Sequence, residues 1–289
     1  MEMLISSFYK YVNIKEDLNK LREKYLKFCK KIGIKGKILI AKEGINGSVS
    51  GTKEQINEFK QYLSKNKIFN DLTFRENIIN DYAFKRMLVK TRKEIVTSGL
   101  KVDLKDKGEH IPPKKLKEML DKKEDIVMLD ARNDYESKIG KFKNAVTPNI
   151  HEFRQFKKLL KNLEKYKDRK IVMYCTGGVR CEKSSAFLKE NGFKNVLQLD
   201  GGIINYINQF QDSYFEGRCF VFDNRISIPA GLKNPDISMC DYCHVPSSRY
   251  INCKNEKCDK FFICCKECDN IMKHSCSKQC KIRVFKRNN

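Results

Sequence analysis

Apolar and polar residues alternate along MLISSFYKYV (3–12), the period of a strand with one buried face. From Ile14 the period lengthens. Leu18, Leu21, Tyr25 and Phe28 share one side of a helix predicted over 14–33, and Gly33 stands where its C-terminus would be capped. GKILIAKEGINGSVSG (36–51) returns to a strand pattern and reads as two strands around a turn rich in Gly and Asn. Thr52 is placed as the N-cap of a second amphipathic helix over 52–66, and 72–96 supplies further strand. The order β-α-β-β-α-β predicts a ferredoxin-like (acylphosphatase-like) α/β domain over 1–96. Such an order names no ligand.

Residues 97–111 contain Gly, Asp and Lys and run up to two prolines, the chemistry of a linker. A second α/β unit is predicted over 112–218. It opens with a helix that has Pro at its start. DIVMLDARND (125–134) is a short buried strand, 153–166 a helix, and KIVMYC (170–175) a second buried strand. Strand, loop and helix follow over 194–210. Strands alternating with helices imply a largely parallel sheet, whose sites gather at the carboxyl ends of its strands. Residues 219–289 show little apolar periodicity and form a third, Cys-rich segment.

The chain has 289 residues, 40% of them hydrophobic, enough for two or three domains with packed cores. No apolar run reaches the length of about 18 residues that a membrane helix needs. The first residues, MEMLISSFYKYVNI, lack the basic-then-apolar layout of a signal peptide, so a cytoplasmic location is expected. Lys and Arg number 59 against 36 Asp and Glu, a formal net charge of +23. Such a field attracts polyanions, of which nucleic acid is the commonest, although drift in composition produces the same excess.

Cys175 closes the second buried strand. Thr176, Gly177, Gly178 and Val179 follow as a loop, and Arg180 opens a helix. Two glycines let successive N–H groups turn inward, and a helix start adds unpaired N–H groups and partial positive charge. With Arg180 this makes an anion cradle around the sulfur, in which a thiolate is stabilised and nucleophilic. The alternative is a buried structural Cys beside a tight turn. Cys181 falls on a stripe with Ser185 and Leu188 and reads as a packed Cys, or else as a second redox thiol. Glu182 and Lys183 are expected on a solvated face. His151 lines the site or is polar surface.

Thirteen cysteines are present, nine of them between Cys240 and Cys280. In a reducing compartment such clustering points to metal ligands rather than disulfides. Cys240 with Cys243, Cys253 with Cys258, Cys265 with Cys268, and Cys276 with Cys280 have the short spacing that lets two thiolates reach one tetrahedral ion. Eight ligands fit two structural zinc ions, with Cys264 spare. Sequential pairing and cross-brace pairing (first with third, second with fourth) are both open, and the small size of the segment favours the cross-brace. The spacings are not those of ferredoxin clusters. His110, His151, His244 and His274 supply no two-His-one-carboxylate set, and no flavin or dinucleotide motif is present. On chemistry alone Cys175 suits a sulfurtransferase.

YCTGGVRCEKSSAFL (174–188) resembles the active loop of rhodanese domains. Asp130, Arg132, Tyr135, Glu136, Gly140 and the Gly-Gly turn of LDGGIINY (199–206) resemble further elements of that domain. Rhodaneses carry sulfur as a persulfide on the loop Cys, here Cys175. Tyrosine-phosphatase loops place five residues between Cys and Arg, whereas four lie between Cys175 and Arg180, which favours sulfur chemistry. IAKEGINGSVSGT (40–52), KRMLVKTRKEIVTSG (85–99), CTGGVRCEKS (175–184) and GRCFVFDNR (217–225) together resemble the rhodanese-containing tRNA uridine(34) hydroxylase family (TrhO). The resemblance covers nearly the whole chain. It implies oxygen-dependent hydroxylation of the wobble uridine of tRNA to 5-hydroxyuridine, with O2 as co-substrate, tRNA as partner, Cys175 and Arg180 at the site and Arg132 as a further candidate. Basic residues in SSRYINCKNEKC and KIRVFKRNN would then face tRNA phosphate or solvent. A sulfurtransferase, and a non-catalytic nucleic-acid or protein adaptor, are the other functions to be weighed.

Overall fold

The computed structural model describes residues 2–233, 235–258 and 260–285. The N-terminal unit contains β1 (Met3–Tyr11), α1 (Leu18–Lys31), β2 (Lys35–Ala41), β3 (Gly44–Thr52), α2 (Lys53–Ser64), β4 (Phe74–Ile79) and β5 (Met87–Thr91). Its sheet has the order β4-β1-β3-β2-β5. Only the β2–β5 pair is parallel. The Asp17 carboxylate accepts the N–H groups of Asn19 and Lys20 to cap α1, and Thr52 with Gln55 forms a capping box on α2. Gly33 takes φ +80 just past α1, a left-handed turn that other residues rarely adopt.

Alternation sorts this sheet into two faces. Leu4, Phe8, Ile38, Ile40, Ile45 and Val49 pack beneath the helices. Tyr9, Lys37, Leu39, Asn46, Ser48 and Arg75 stand on the other face, which is turned toward the second unit rather than toward α1 and α2.

That unit contains β6 (Glu109–Ile111), α3 (Pro113–Asp121), β7 (Ile126–Asp130), α4 (Asp134–Ile139), β8 (Gly140–Phe142), α5 (Leu160–Leu163), β9 (Lys170–Tyr174), α6 (Val179–Glu190), β10 (Val196–Leu199) and α7 (Gly202–Gln209). A parallel sheet of order β6-β10-β9-β7 lies between the helices. β6 lies at the end of the stretch expected as linker and is an edge strand of this sheet. The segment expected as a helix over 153–166 is mostly tighter. Phe153–Leu159 and Glu164–Tyr166 are 3-10 turns flanking α5. The reason is spacing: Phe153, Phe156 and Leu159 recur every third residue, the period of a 3-10 helix, and all three are buried.

β11 (Phe215–Phe220) and β12 (Ser227–Pro229) form a hairpin that pairs with β8. The Cys-rich segment contributes β13 (Tyr250–Asn252), β14 (Phe261–Ile263), α8 (Lys266–Met272) and α9 (Lys278–Phe285). It packs on the second unit through Ile139, Phe220, Tyr250 and Ile263. The Tyr250 hydroxyl donates to the Tyr135 carbonyl at 2.7 Å.

Candidate active site

β9 delivers Cys175 to the carboxyl edge of the parallel sheet. Gly178 takes φ +100 as the N-cap of α6, and its N–H donates to the Cys175 sulfur at 3.1 Å. The Gly-Gly turn ahead of α7 closes on the same loop. At Gly202 (φ +65) an added Cβ would lie 2.3 Å from the Cys175 carbonyl oxygen, so only glycine allows the approach. The N–H of Ile203 then donates to that oxygen at 2.9 Å.

Burial of Cys175 favours the neutral thiol. The Cys181 thiol that donates to it, the Arg180 charge, and the N–H groups of Arg180 and Gly178 outweigh burial and bring its pKa down to about 6. Cys181 is also fully buried, and burial together with the neighbouring Cys175 charge keeps it protonated. It packs in the core of the second unit and also acts as a hydrogen-bond donor.

Arg180 is not a free cation. Its two terminal nitrogens grip the Glu136 carboxylate at 2.6 and 2.7 Å, and the Thr176 hydroxyl donates to the same group at 3.2 Å. Burial disfavours the Glu136 charge, but the Arg180 guanidinium holds its carboxyl below the usual range. Breaking a pair buried this deeply typically costs about 3–5 kcal/mol, so the fork is locked in place. Arg132 is fully buried and holds Asp130 at 2.7 Å and the Gly140 carbonyl at 2.6 Å. It fixes α4, the helix that carries Glu136, and does not line the cleft.

Cys175, itself fully buried, belongs to the lining of a cleft of about 560 Å³. Thr176, Gly177, Val179 and Arg180 line one wall, the sheet face with Tyr9, Lys37 and Arg75 the other, and Phe222 the mouth. Ion pairs and hydrogen bonds join the walls. Tyr9 donates to Glu182 at 2.9 Å, Arg75 meets Asp200 at 2.7 Å, and Lys183 meets Glu43 at 2.7 Å. Glu182 and Lys183, expected on a solvated face, are only 3% and 4% exposed. The first domain covers that face of α6, so their charges tie two domains together. His151 is polar surface, paired with Asp134 at 3.3 Å, and does not line the cleft.

The eight expected cysteines form two groups, Cys240, Cys243, Cys265 and Cys268, and Cys253, Cys258, Cys276 and Cys280. First pair joins third and second joins fourth, the cross-brace. A tetrahedral ion with sulfur bonds of about 2.3 Å sets its sulfurs about 3.8 Å apart. Here Cys243 and Cys265 are 3.6 Å apart, Cys258 and Cys276 3.5 Å, and Cys276 and Cys280 3.8 Å. Both groups fit a metal ion. Cys264 is left out and lies in the module's apolar core.

Three family models match in succession: a UPF0176 acylphosphatase-like domain over 3–95, a rhodanese-like domain over 112–209 and a rhodanase C-terminal region over 216–281. The chain is 41% identical over 282 residues to a tRNA uridine(34) hydroxylase of Bacillus licheniformis, covering 95% of this chain and 87% of that one. It is 41% identical to proteins of the same name from Cytophaga hutchinsonii (97% and 90% covered) and Onion yellows phytoplasma (96% and 92%). The chain belongs to the tRNA uridine(34) hydroxylase family. In this hydroxylase-family chain Cys175, Thr176, Gly177, Val179 and Arg180 of the loop expected as an anion cradle form one wall of the cleft. The opposite wall was not legible, because Tyr9, Lys37 and Arg75 arrive from another domain. Glu136, the partner of Arg180, carried one local signal: it lies three residues after Asn133, the spacing of a capping box. Residues 286–289, part of the basic terminal stretch, lie outside the described residues.

Proposed function

We infer that the chain hydroxylates C5 of the wobble uridine of tRNA, with Cys175 as the reactive thiolate and O2 as the oxidant. The observation that carries this reading is a low-pKa cysteine at one wall of a cleft of about 560 Å³, inside the roughly 300–1,000 Å³ range of small-ligand sites. The charge balance supports a neutral ring as the reacting group. Glu136 neutralises Arg180, so the loop offers no spare cation for a phosphate or thiosulfate dianion. Farther out, Lys37 and Lys90 stand on the same sheet face without a carboxylate partner among the described residues, as suits a phosphate backbone.

The chemistry fits a thiolate. Addition of Cys175 to C6 of uracil forms an S–C bond and moves the ring's π electrons toward C5, the carbon that must take oxygen. That carbon bonds one atom of O2, and after the O–O bond is reduced, loss of the C5 proton and expulsion of the thiolate restore the double bond. One atom of O2 enters the product. The other leaves as water, which takes two electrons and two protons from an external reductant. The two four-cysteine groups would hold structural zinc, which stabilises the fold and keeps no open position for substrate.

Mass spectrometry of tRNA nucleosides from a deletion strain tests the assignment. Nucleosides derived from 5-hydroxyuridine should vanish, return with the wild-type chain and stay absent with Cys175→Ser. Unchanged wobble nucleosides in the deletion strain would overturn it. Vigorous thiosulfate-dependent sulfur transfer by the purified chain, with those nucleosides unaffected, would favour a sulfurtransferase instead.

A further inference from the structure

Phe222 breaks the burial rule that the other described aromatic side chains obey. It is 59% exposed and, among the described residues, the only aromatic among the large hydrophobic side chains open to solvent. Such a residue needs a reason, since an isolated aromatic ring is stabilised by burial.

Its presentation is built. Phe222 lies in the turn between β11 and β12, closed by the Val221 N–H donating to the Ile226 carbonyl at 2.8 Å. The neighbouring Asp223 takes two hydrogen bonds from the Arg225 guanidinium, at 2.8 and 2.7 Å. Asn224 donates from its N–H to the Ala83 carbonyl of the first domain at 2.9 Å. Phe220 meets the Phe222 ring at 5.2 Å, and Phe220 is itself braced by Tyr135, Tyr250 and Phe261. Chain on both sides of the ring is therefore fixed.

The ring faces the cleft that holds Cys175, and the Arg180 guanidinium carbon lies 5.8 Å from its centroid. A flat surface without hydrogen-bonding capacity, beside a recessed thiol, matches a planar ring as ligand. A base stacked within an RNA strand cannot reach such a thiol and has to leave its stack. An aromatic platform compensates for the lost stacking, with an effect of roughly five- to hundredfold in affinity per base.

We propose that Phe222 is the stacking platform for the base to be modified, positioning the extruded pyrimidine ring over the Cys175 sulfur. This rests on the wobble-uridine reading above and adds how the ring is held. Phe222 is a positioning residue and forms no bond with the substrate.

Binding of two anticodon stem-loops to the full-length chain tests it, one with uridine at position 34 and one with an abasic site there. The wild type is expected to bind the uridine loop roughly tenfold tighter than the abasic loop. Phe222→Leu, which keeps the apolar bulk without a flat face, should bind both alike, and Phe222→Tyr should restore the preference. Melting curves establish that each variant is folded. A folded Phe222→Leu that retains the wild-type preference overturns the platform while the hydroxylase reading stands. Equal binding of both loops by the wild type also overturns the platform. The hydroxylase reading is decided separately, by the nucleosides of the deletion strain.

Discussion

Cys175 and Cys181 differ in one respect that matters at neutral pH: the first is poised as a thiolate and the second stays a thiol. Cys181 donates and Cys175 accepts, so the pair acts as a unit. The difference in absorbance near 240 nm between the wild type and Cys175→Ser cancels the other thiolates. It is expected to titrate with a midpoint near 6. Cys181→Ala removes a donor and should move the midpoint upward; an unmoved midpoint would count against the donor role. The folded chain binds fewer protons here than the unfolded chain. The resulting stability is present above the unfolded value of about 8.5 and is lost as pH falls through about 6. In deuterated water without oxygen, the C5 hydrogen of the bound uridine should exchange with wild type and not with Cys175→Ser. The sequence made Cys175 legible, because two glycines and a helix start are local. It did not reveal that Arg180 is neutralised, since Glu136 lies 44 positions away and its reach depends on how Arg132 holds α4 through the Glu136 and Gly140 carbonyls.

α6 shows what a periodicity argument misses. Arg180, Cys181, Glu182, Lys183, Ser184, Ser185 and Ala186 are all buried, so the helix has no solvent side over its first two turns. A charged pair in such a helix reads as solvated only while the other domain is out of view. The same blindness applies to the pairing of β8 with the β11–β12 hairpin, which joins Phe142 to Phe215 across a long stretch of chain. By contrast, the N-terminal domain was legible, because its strands alternate and its helices carry their own caps. Glu182 accepts from Tyr9 and also faces Lys107 at 2.6 Å and His110 at 3.1 Å. Asp200 and Glu182 together raise the His110 pKa to about 9. A raised histidine stabilises the fold fully below the unfolded value of about 6.5, and this contribution is lost as pH rises through about 9. The melting temperature of the wild type should therefore fall toward that of His110→Gln between pH 6.5 and 9.5. A constant gap between the two would contradict the assignment. About a third of the His110 side chain is accessible to water, which keeps the effect modest.

Across the whole molecule, the first two units share the cleft, and a relay of contacts joins the Cys-rich module to its edge. The Cys-rich module touches the second unit through Tyr250 and Phe261, these brace Phe220, and Phe220 supports the turn that bears Phe222. Elemental analysis should find two zinc ions per chain. A strong chelator should melt the module while the first two units keep their helices and sheets by circular dichroism. Chelation that leaves the module's melting unchanged would refute a metal-held fold. The cysteine pairs were legible from spacing alone, and the interleaved pairing became definite only with the fold. That interleaving has a kinetic consequence. The backbone between Cys253 and Cys265 runs from one cluster to the other, so neither cluster can come apart without loosening strands that position its twin. The two ions should leave together, in a single phase of release, and a form carrying one ion should be too short-lived to accumulate.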